Sequence, residues 1–83
     1  MKLFILFIIL ITTLFADVDM NNATAIEFTK LKGVGAKKSV DIVKYRQAHG
    51  CFKSIGELTR VKGIGAKTLK KNRADLVLGK CSK

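Results

Sequence analysis

The chain has 83 residues, 16 of them Lys or Arg and only 6 Asp or Glu, for a formal net charge of +10. This length suits one small domain with a limited core and gives no separate catalytic domain, while the charge points to an anionic partner. With two cysteines and one histidine, soft ligands are too few for a zinc site.

Residues 1–16 have the layout of a secretory signal peptide. Lys2 supplies a short positive start, Leu3 to Ile11 is unbroken apolar sequence, and Thr12-Thr13-Leu14-Phe15-Ala16 leads to a cleavage point before Asp17. Leu14 occupies the minus-three position, where a small residue is usual. The apolar run is shorter than the roughly 20 residues needed to span a bilayer, which favours cleavage over anchoring. The expected location is the periplasm or another exported compartment. The alternative is an inner-membrane anchor formed by the uncleaved signal.

Residues 17–83 then form the domain. They keep fifteen basic and all six acidic residues, a formal net charge of +9. Cys51 and Cys81 both lie in this part, so one disulfide is the economical expectation, with two independent thiols as the alternative.

Thr24-x-x-Glu27 reads as a capping box opening a first helix over residues 25–31, with Ile26, Phe28 and Leu31 apolar and Gly33 as its stop. Gly35 starts a second helix that runs to residue 49, with Val40, Ile42 and Val43 as its buried side and Gly50 as its end. Ser54-x-x-Glu57 is a second capping box, opening a helix of about one and a half turns through Leu58, flanked by inward-facing Phe52 and Ile55. Gly63 stops the chain again, and Gly65 starts a last helix that runs to residue 76. Only Leu76-Val77-Leu78 has any strand character. The expected class is all-α, with about five short helices arranged as two hairpins over residues 25–49 and 54–78.

The two hairpins share a signature. Leu31-Lys32-Gly33-Val34-Gly35-Ala36-Lys37 returns as Val61-Lys62-Gly63-Ile64-Gly65-Ala66-Lys67. Glycine on each side of an apolar residue permits a tight turn and a close backbone approach. The second glycine opens a helix whose first N–H groups lack intrahelical partners and carry positive partial charge. Lysine in that first turn opposes the helix dipole, a penalty that an anion would reverse. Gly33, Val34 and Gly35, with Gly63, Ile64 and Gly65, are therefore candidate phosphate-binding turns. Lys37, Lys38, Lys67 and Thr68 follow them, and Lys32, Lys62, Lys70 and Lys71 extend the basic face. Val34 and Ile64 are expected to pack between paired helices. Tyr45, the single tyrosine, is expected to be a core or hairpin-closing residue, and no aromatic ladder for unpaired bases is visible.

These two segments resemble the turns of a tandem helix-hairpin-helix domain. Val18-Asp19-Met20-Asn21-Asn22-Ala23-Thr24 resembles the entry segment of the ComEA family of DNA-uptake proteins. Tyr45-Arg46, His49-Gly50, Phe52-Lys53-Ser54-Ile55 and Glu57-Leu58 resemble its connector. The resemblance implies turns that approach double-stranded DNA from the minor-groove side, with main-chain N–H groups on phosphate oxygens. It further implies a role in natural transformation, with an inner-membrane DNA channel as a downstream partner and no small-molecule substrate. No cofactor is expected; some helix-hairpin-helix proteins hold a monovalent cation on turn carbonyls, but nothing here demands one. Two departures stand out. Cys51 occupies a place where that family often has proline, and with Cys81 it would pin the tail to the connector. Asn72 falls where the last helix should present an aliphatic residue.

Phosphate contacts carry no base information, so binding should be sequence-independent and salt-sensitive. Neutralising about 4–6 phosphates predicts a log–log salt slope of roughly −4 to −5. Catalysis is not expected, because the six acids are scattered and Glu27 and Glu57 belong to caps. A cationic protein whose hairpins are scaffold, and whose target is a membrane or protein surface, is the competing class.

Overall fold

The computed structural model describes residues 17–81. The expected signal segment lies outside them. In chain order the elements are strand β1 (Val18–Asp19), helix α1 (Ala25–Phe28), helix α2 (Ala36–His49), a 3₁₀ helix (Ile55–Arg60), helix α3 (Ala66–Asn72), a 3₁₀ turn (Arg73–Asp75) and strand β2 (Leu76–Val77). The fold is helical, as expected, with one two-residue parallel pairing in which Val18 faces Leu76 and Asp19 faces Val77.

Thr24 caps α1 as a true capping box. Its hydroxyl accepts the Glu27 N–H, and the Glu27 carboxylate accepts the Thr24 N–H at 2.9 Å. The helix ends at Phe28 rather than at residue 31, because Thr29 turns its hydroxyl back to the Ile26 carbonyl. Tighter bonds, Lys30 N–H to Glu27 and Leu31 N–H to Phe28, carry the chain on and deliver Leu31 to the core.

The buried side of α2 differs from the expected one. Ile42 is fully buried and Val43 packs partly against the core, but Val40 is 43% exposed. Ser39 takes the inward place, fully buried, with its hydroxyl donating to the Gly35 carbonyl at 2.8 Å. A hydroxyl satisfied within its own turn is cheap to bury and lets the neighbouring backbone approach. Ile26, counted among the apolar residues of α1, is likewise 78% exposed.

Ser54 does not form a capping box. Its side chain makes no capping bond, and the Glu57 carboxylate takes the Lys53 N–H instead, at 2.9 Å. The segment is a 3₁₀ helix, whose three-residue period stacks Ile55, Leu58 and Val61 on one inward ridge. The last α-helix stops at Asn72, short of residue 76, so that Leu76 can enter the core from a strand.

One core holds both hairpins together. Met20, Phe28, Ile42 and Leu58 are its most enclosed members, and Val34, Phe52, Val61, Ile64, Leu69 and Leu76 complete its walls. Each buried aliphatic or aromatic side chain contributes about 1.5–3 kcal/mol. The ends are tied separately. Cys51 and Cys81 form a disulfide with Cα atoms 5.6 Å apart. Asp19 accepts N–H bonds from Asn21 and Gly79, each at 2.9 Å, and the Asn22 amide at 2.8 Å. A side chain on Gly79 would overlap that carboxylate. Burial raises the Asp19 pKa, but the hydrogen bonds from Asn22, Asn21 and Gly79 outweigh it and hold the carboxyl below its ordinary value.

Candidate nucleic-acid interface

Each signature segment forms the same turn. Val34 N–H donates to Leu31 O at 3.2 Å, and Ile64 N–H to Val61 O at 3.0 Å. Gly33 has φ +76° and Gly63 φ +92°, while no other residue type in the described chain has positive φ. One positive φ at the third position defines a type II turn, which a side chain there would strain. Val34 and Ile64 point into the core, 4% and 3% exposed. Their N–H groups are engaged within the turn, so they have less to offer a phosphate than their glycine neighbours.

The second glycine of each turn is a different case. Gly35 (φ −92°) and Gly65 (φ −104°) are the N-caps of α2 and α3, in extended backbone that any residue adopts. A Cβ built on either meets nothing within 4 Å. Neither conformation nor internal packing therefore calls for glycine at 35 or 65. Among the described residues, the N–H groups of Gly35, Ala36 and Lys37, and of Gly65, Ala66 and Lys67, have no internal acceptor.

The two turns lie against one another. The Lys38 stem crosses Gly63, where an added Cβ would stand 3.5 Å from Lys38 Cε, and its ammonium reaches the Gly33 carbonyl at 3.4 Å. Thr68, the residue of the second repeat that corresponds to Lys38, lies over Gly33, with Oγ1 4.0 Å from an added Cβ. Asn72 closes the arrangement. It is 1% exposed, accepts Lys32 N–H at 2.7 Å, and donates to Lys32 O and Thr68 O at 2.9 Å each. The anticipated conflict over Asn72 is thus resolved by full satisfaction of its amide, and the final helix gains a clamp on the first turn.

Lys32, Lys37, Lys62 and Lys67 are exposed beside the turns, whereas Lys38 and Thr68 are half-buried between them. Lys70 and Lys71 lie in the last turn of α3, where they complement its dipole. Lys37 pairs with Asp41 at 3.4 Å, the one ion pair among the described residues. No group of three or more His, Cys, Asp and Glu that could hold a metal ion occurs among them either.

Three contributors are not singled out by the motif. Asn21 grips Phe52 through both backbone groups, accepting its N–H at 2.6 Å and donating to its carbonyl at 3.2 Å. Arg46 donates to Met20 O at 2.9 Å and lies 5.7 Å from the Phe28 ring centroid. Ser39 is the third. The thirty-residue repeat carries one usable signal for such residues: it sets Asn72 against Ile42 and Leu69 against Ser39, marking where the two copies pack differently.

A family model described as "Helix-hairpin-helix motif" matches residues 15–77. An uncharacterized protein of Haemophilus influenzae is 48% identical over 60 residues, covering 71% of this chain and 54% of that protein. ComE operon protein 1 of Bacillus subtilis is 36% identical over 63 residues, covering 76% of this chain and 31% of that protein. Endonuclease/exonuclease/phosphatase family domain-containing protein 1 of Rattus norvegicus is 39% identical over 56 residues, 68% of this chain but 10% of its own length. The chain thus spans about half the length of the first relative and less of the others.

Proposed function

The chain belongs to the helix-hairpin-helix motif family, and from that premise we propose that it is an exported protein that binds double-stranded DNA without sequence preference. The observation that carries this reading is the pair of glycines at 35 and 65, which the fold itself does not require. Open space in front of two adjacent N-caps, bordered by Lys32, Lys37, Lys62 and Lys67, suits the approach of a phosphodiester backbone. The outward N–H groups then bond phosphate oxygens, and the lysines release counterions. Residues 17–83 act as the DNA-binding domain after a leader over residues 1–16.

The resemblance to ComEA-type DNA-uptake proteins, and the similarity to a protein named ComE operon protein 1, support a role in capturing and retaining incoming DNA during natural transformation. An inner-membrane DNA channel is the corresponding partner. The role needs no cofactor and no catalysis. The nuclease-like name of one set of relatives belongs to proteins of which this segment is a tenth.

The test is a titration of the oxidised chain against two duplexes of unrelated sequence over a salt series, with Gly35→Glu/Gly65→Glu alongside. Equal affinities, a slope of roughly −4 to −5, and loss of binding in a variant that stays folded are expected. A shallow slope, or a double variant that binds like the parent, would sink the proposal.

A second reading has one observation in its favour. Ile26 and Val40 border a small groove between α1 and α2, and both are exposed. A membrane or protein surface target would use that face. Vesicle binding that survives the double glycine substitution would support it.

A further inference from the structure

Residues 37, 41, 44, 45 and 49 recur at helical spacing along one side of α2, a side that starts at the turns and runs away from them. With Arg60 and Lys62 opposite, this side borders an open groove of about 500 Å³. That size falls within the range of sites that hold a small organic molecule. One carboxylate, Asp41, lies among its four Lys and Arg residues, and that carboxylate is already paired with Lys37. The groove begins beside the turns, at Lys37 and Lys62, and follows the helix for roughly 18 Å to His49.

Its far end is aromatic. Phe52, Tyr45 and His49 form one continuous stack. Tyr45 lies 5.5 Å from Phe52 at an interplanar angle of 15°, and 4.1 Å from His49 at 20°. Phe52 is buried, Tyr45 half-buried and His49 exposed, so the stack grows outward from the core. Its root is rigid. Asn21 holds both backbone groups of Phe52, and the adjacent Cys51 is tied to Cys81. A flat ring added beyond His49 would meet a platform already ordered, at little further entropic cost.

We propose that this groove takes an unpaired nucleotide unit, with Lys44 and Arg60 on its phosphate and its base on the Tyr45–His49 stack. The inference rests on the DNA reading and extends it, since the unpaired unit would be a single-stranded end continuing from the duplex held at the turns. Cations alone would accept any anion. The aromatic end selects one that carries a flat ring, and single-stranded nucleic acid supplies both in alternation.

The experiment compares the full chain on a blunt duplex, the same duplex with a short single-stranded overhang, and a duplex whose overhang is abasic. The overhang should tighten binding about five- to tenfold, and the abasic overhang should lose most of that gain. His49→Ala should abolish the gain while leaving blunt-duplex affinity unchanged. Lys44→Gln/Arg60→Gln should abolish it as well, read as the ratio of overhang to blunt affinity so that general loss of charge cancels. In a separate arm, a deoxynucleoside monophosphate is added without duplex while the His49 and Tyr45 ring resonances are followed by NMR. Shifts there, lost in Lys44→Gln/Arg60→Gln, support the site and show that a free nucleotide also fills it. Equal binding of blunt and overhang duplexes overturns the inference and leaves the DNA reading intact. An abasic overhang as good as a complete one also overturns it. If neither duplex binds, the DNA reading fails, and the nucleotide arm alone decides: absence of shifts ends the inference too.

Discussion

Lys38 lies along Gly63, the turn glycine of the other repeat, with its Cε 3.5 Å from where a Cβ would stand. The second helix of the first hairpin thus braces the turn of the other, and Thr68 returns the contact over Gly33. The two glycines of each turn consequently do different work. Gly63 (φ +92°) is held by conformation, whereas Gly65 (φ −104°) is not. Gly63→Ser should lose about 1–2 kcal/mol for placing a side chain in the left-handed region. Gly65→Ser should be neutral or slightly stabilising, since serine is a favoured N-cap. Urea denaturation reads both. DNA affinity should fall for Gly65→Ser despite its undiminished stability, which separates binding from folding.

Asn72 corresponds by repeat to Ile42, so Asn72→Ile restores the symmetry of the two hairpins. It should nevertheless destabilise. The Lys32 N–H and the Lys32 and Thr68 carbonyls lose their partner, at about 1–3 kcal/mol. For a domain of this size each kcal/mol lowers the midpoint by roughly 4–8 °C. Calorimetry showing an unchanged or raised midpoint would remove the clamp from the account.

What was legible beforehand follows from how local each cause is. The turns, the Thr24 cap, the start of α2 and the inward packing of Val34 and Ile64 depend on residues within one or two turns, and the repeat displays all but the cap twice. The misplacements have longer reach. Val40 and Ser39 exchange roles: Ser39 is buried with its hydroxyl on the Gly35 carbonyl, and Val40 stays exposed. The Ser54 box fails because the inward ridge of Ile55, Leu58 and Val61 favours a three-residue period. The pairing of Val18 with Leu76 joins the two ends of the domain, and two-residue strands leave no alternation to detect. At the candidate interface, positions could be chosen from the motif. The absence of any internal requirement for glycine at 35 and 65 could only come from coordinates.

Acid stability should report on Asp19. Its carboxyl is held below the ordinary value of 3.8 by hydrogen bonds that overcome burial, so the folded state favours the ionised form. Its contribution is complete above the unfolded value and is lost as pH falls through the lower, folded one. The parent's urea midpoint should therefore drop on acidification below 3.8. Asp19→Asn should start lower at neutral pH and show a flatter acid limb. Parallel limbs would mean that other carboxylates govern acid unfolding.

Opening the disulfide should cost stability without abolishing DNA binding. For a sequence separation of 30, chain entropy gives about 3–4 kcal/mol as an upper estimate. Cys51 follows the C-terminal end of α2, roughly 20 Å along the helix from Gly35. Cys51→Ser/Cys81→Ser should melt earlier, yet bind duplex DNA with near-parental affinity at temperatures where it remains folded. A large loss of affinity under those conditions would indicate that the tail contributes directly to the interface.

Asp41 offers a test in which affinity should improve. It neutralises Lys37 across 3.4 Å, with 89% of the lysine side chain exposed, so the pair adds little to stability. The corresponding residue of the second repeat is Lys71, so residues 67–71 carry a formal charge of +3 against +1 for residues 37–41. Asp41→Asn should free Lys37 for phosphate, tighten duplex binding, and steepen the log–log salt slope by about one unit. Lys71→Asp should do the reverse. The slopes decide between mechanisms: opposite shifts for the two variants place phosphate near both helix starts. If neither moves the slope while the protein still binds DNA, the lysines beside the turns act only as a diffuse charge.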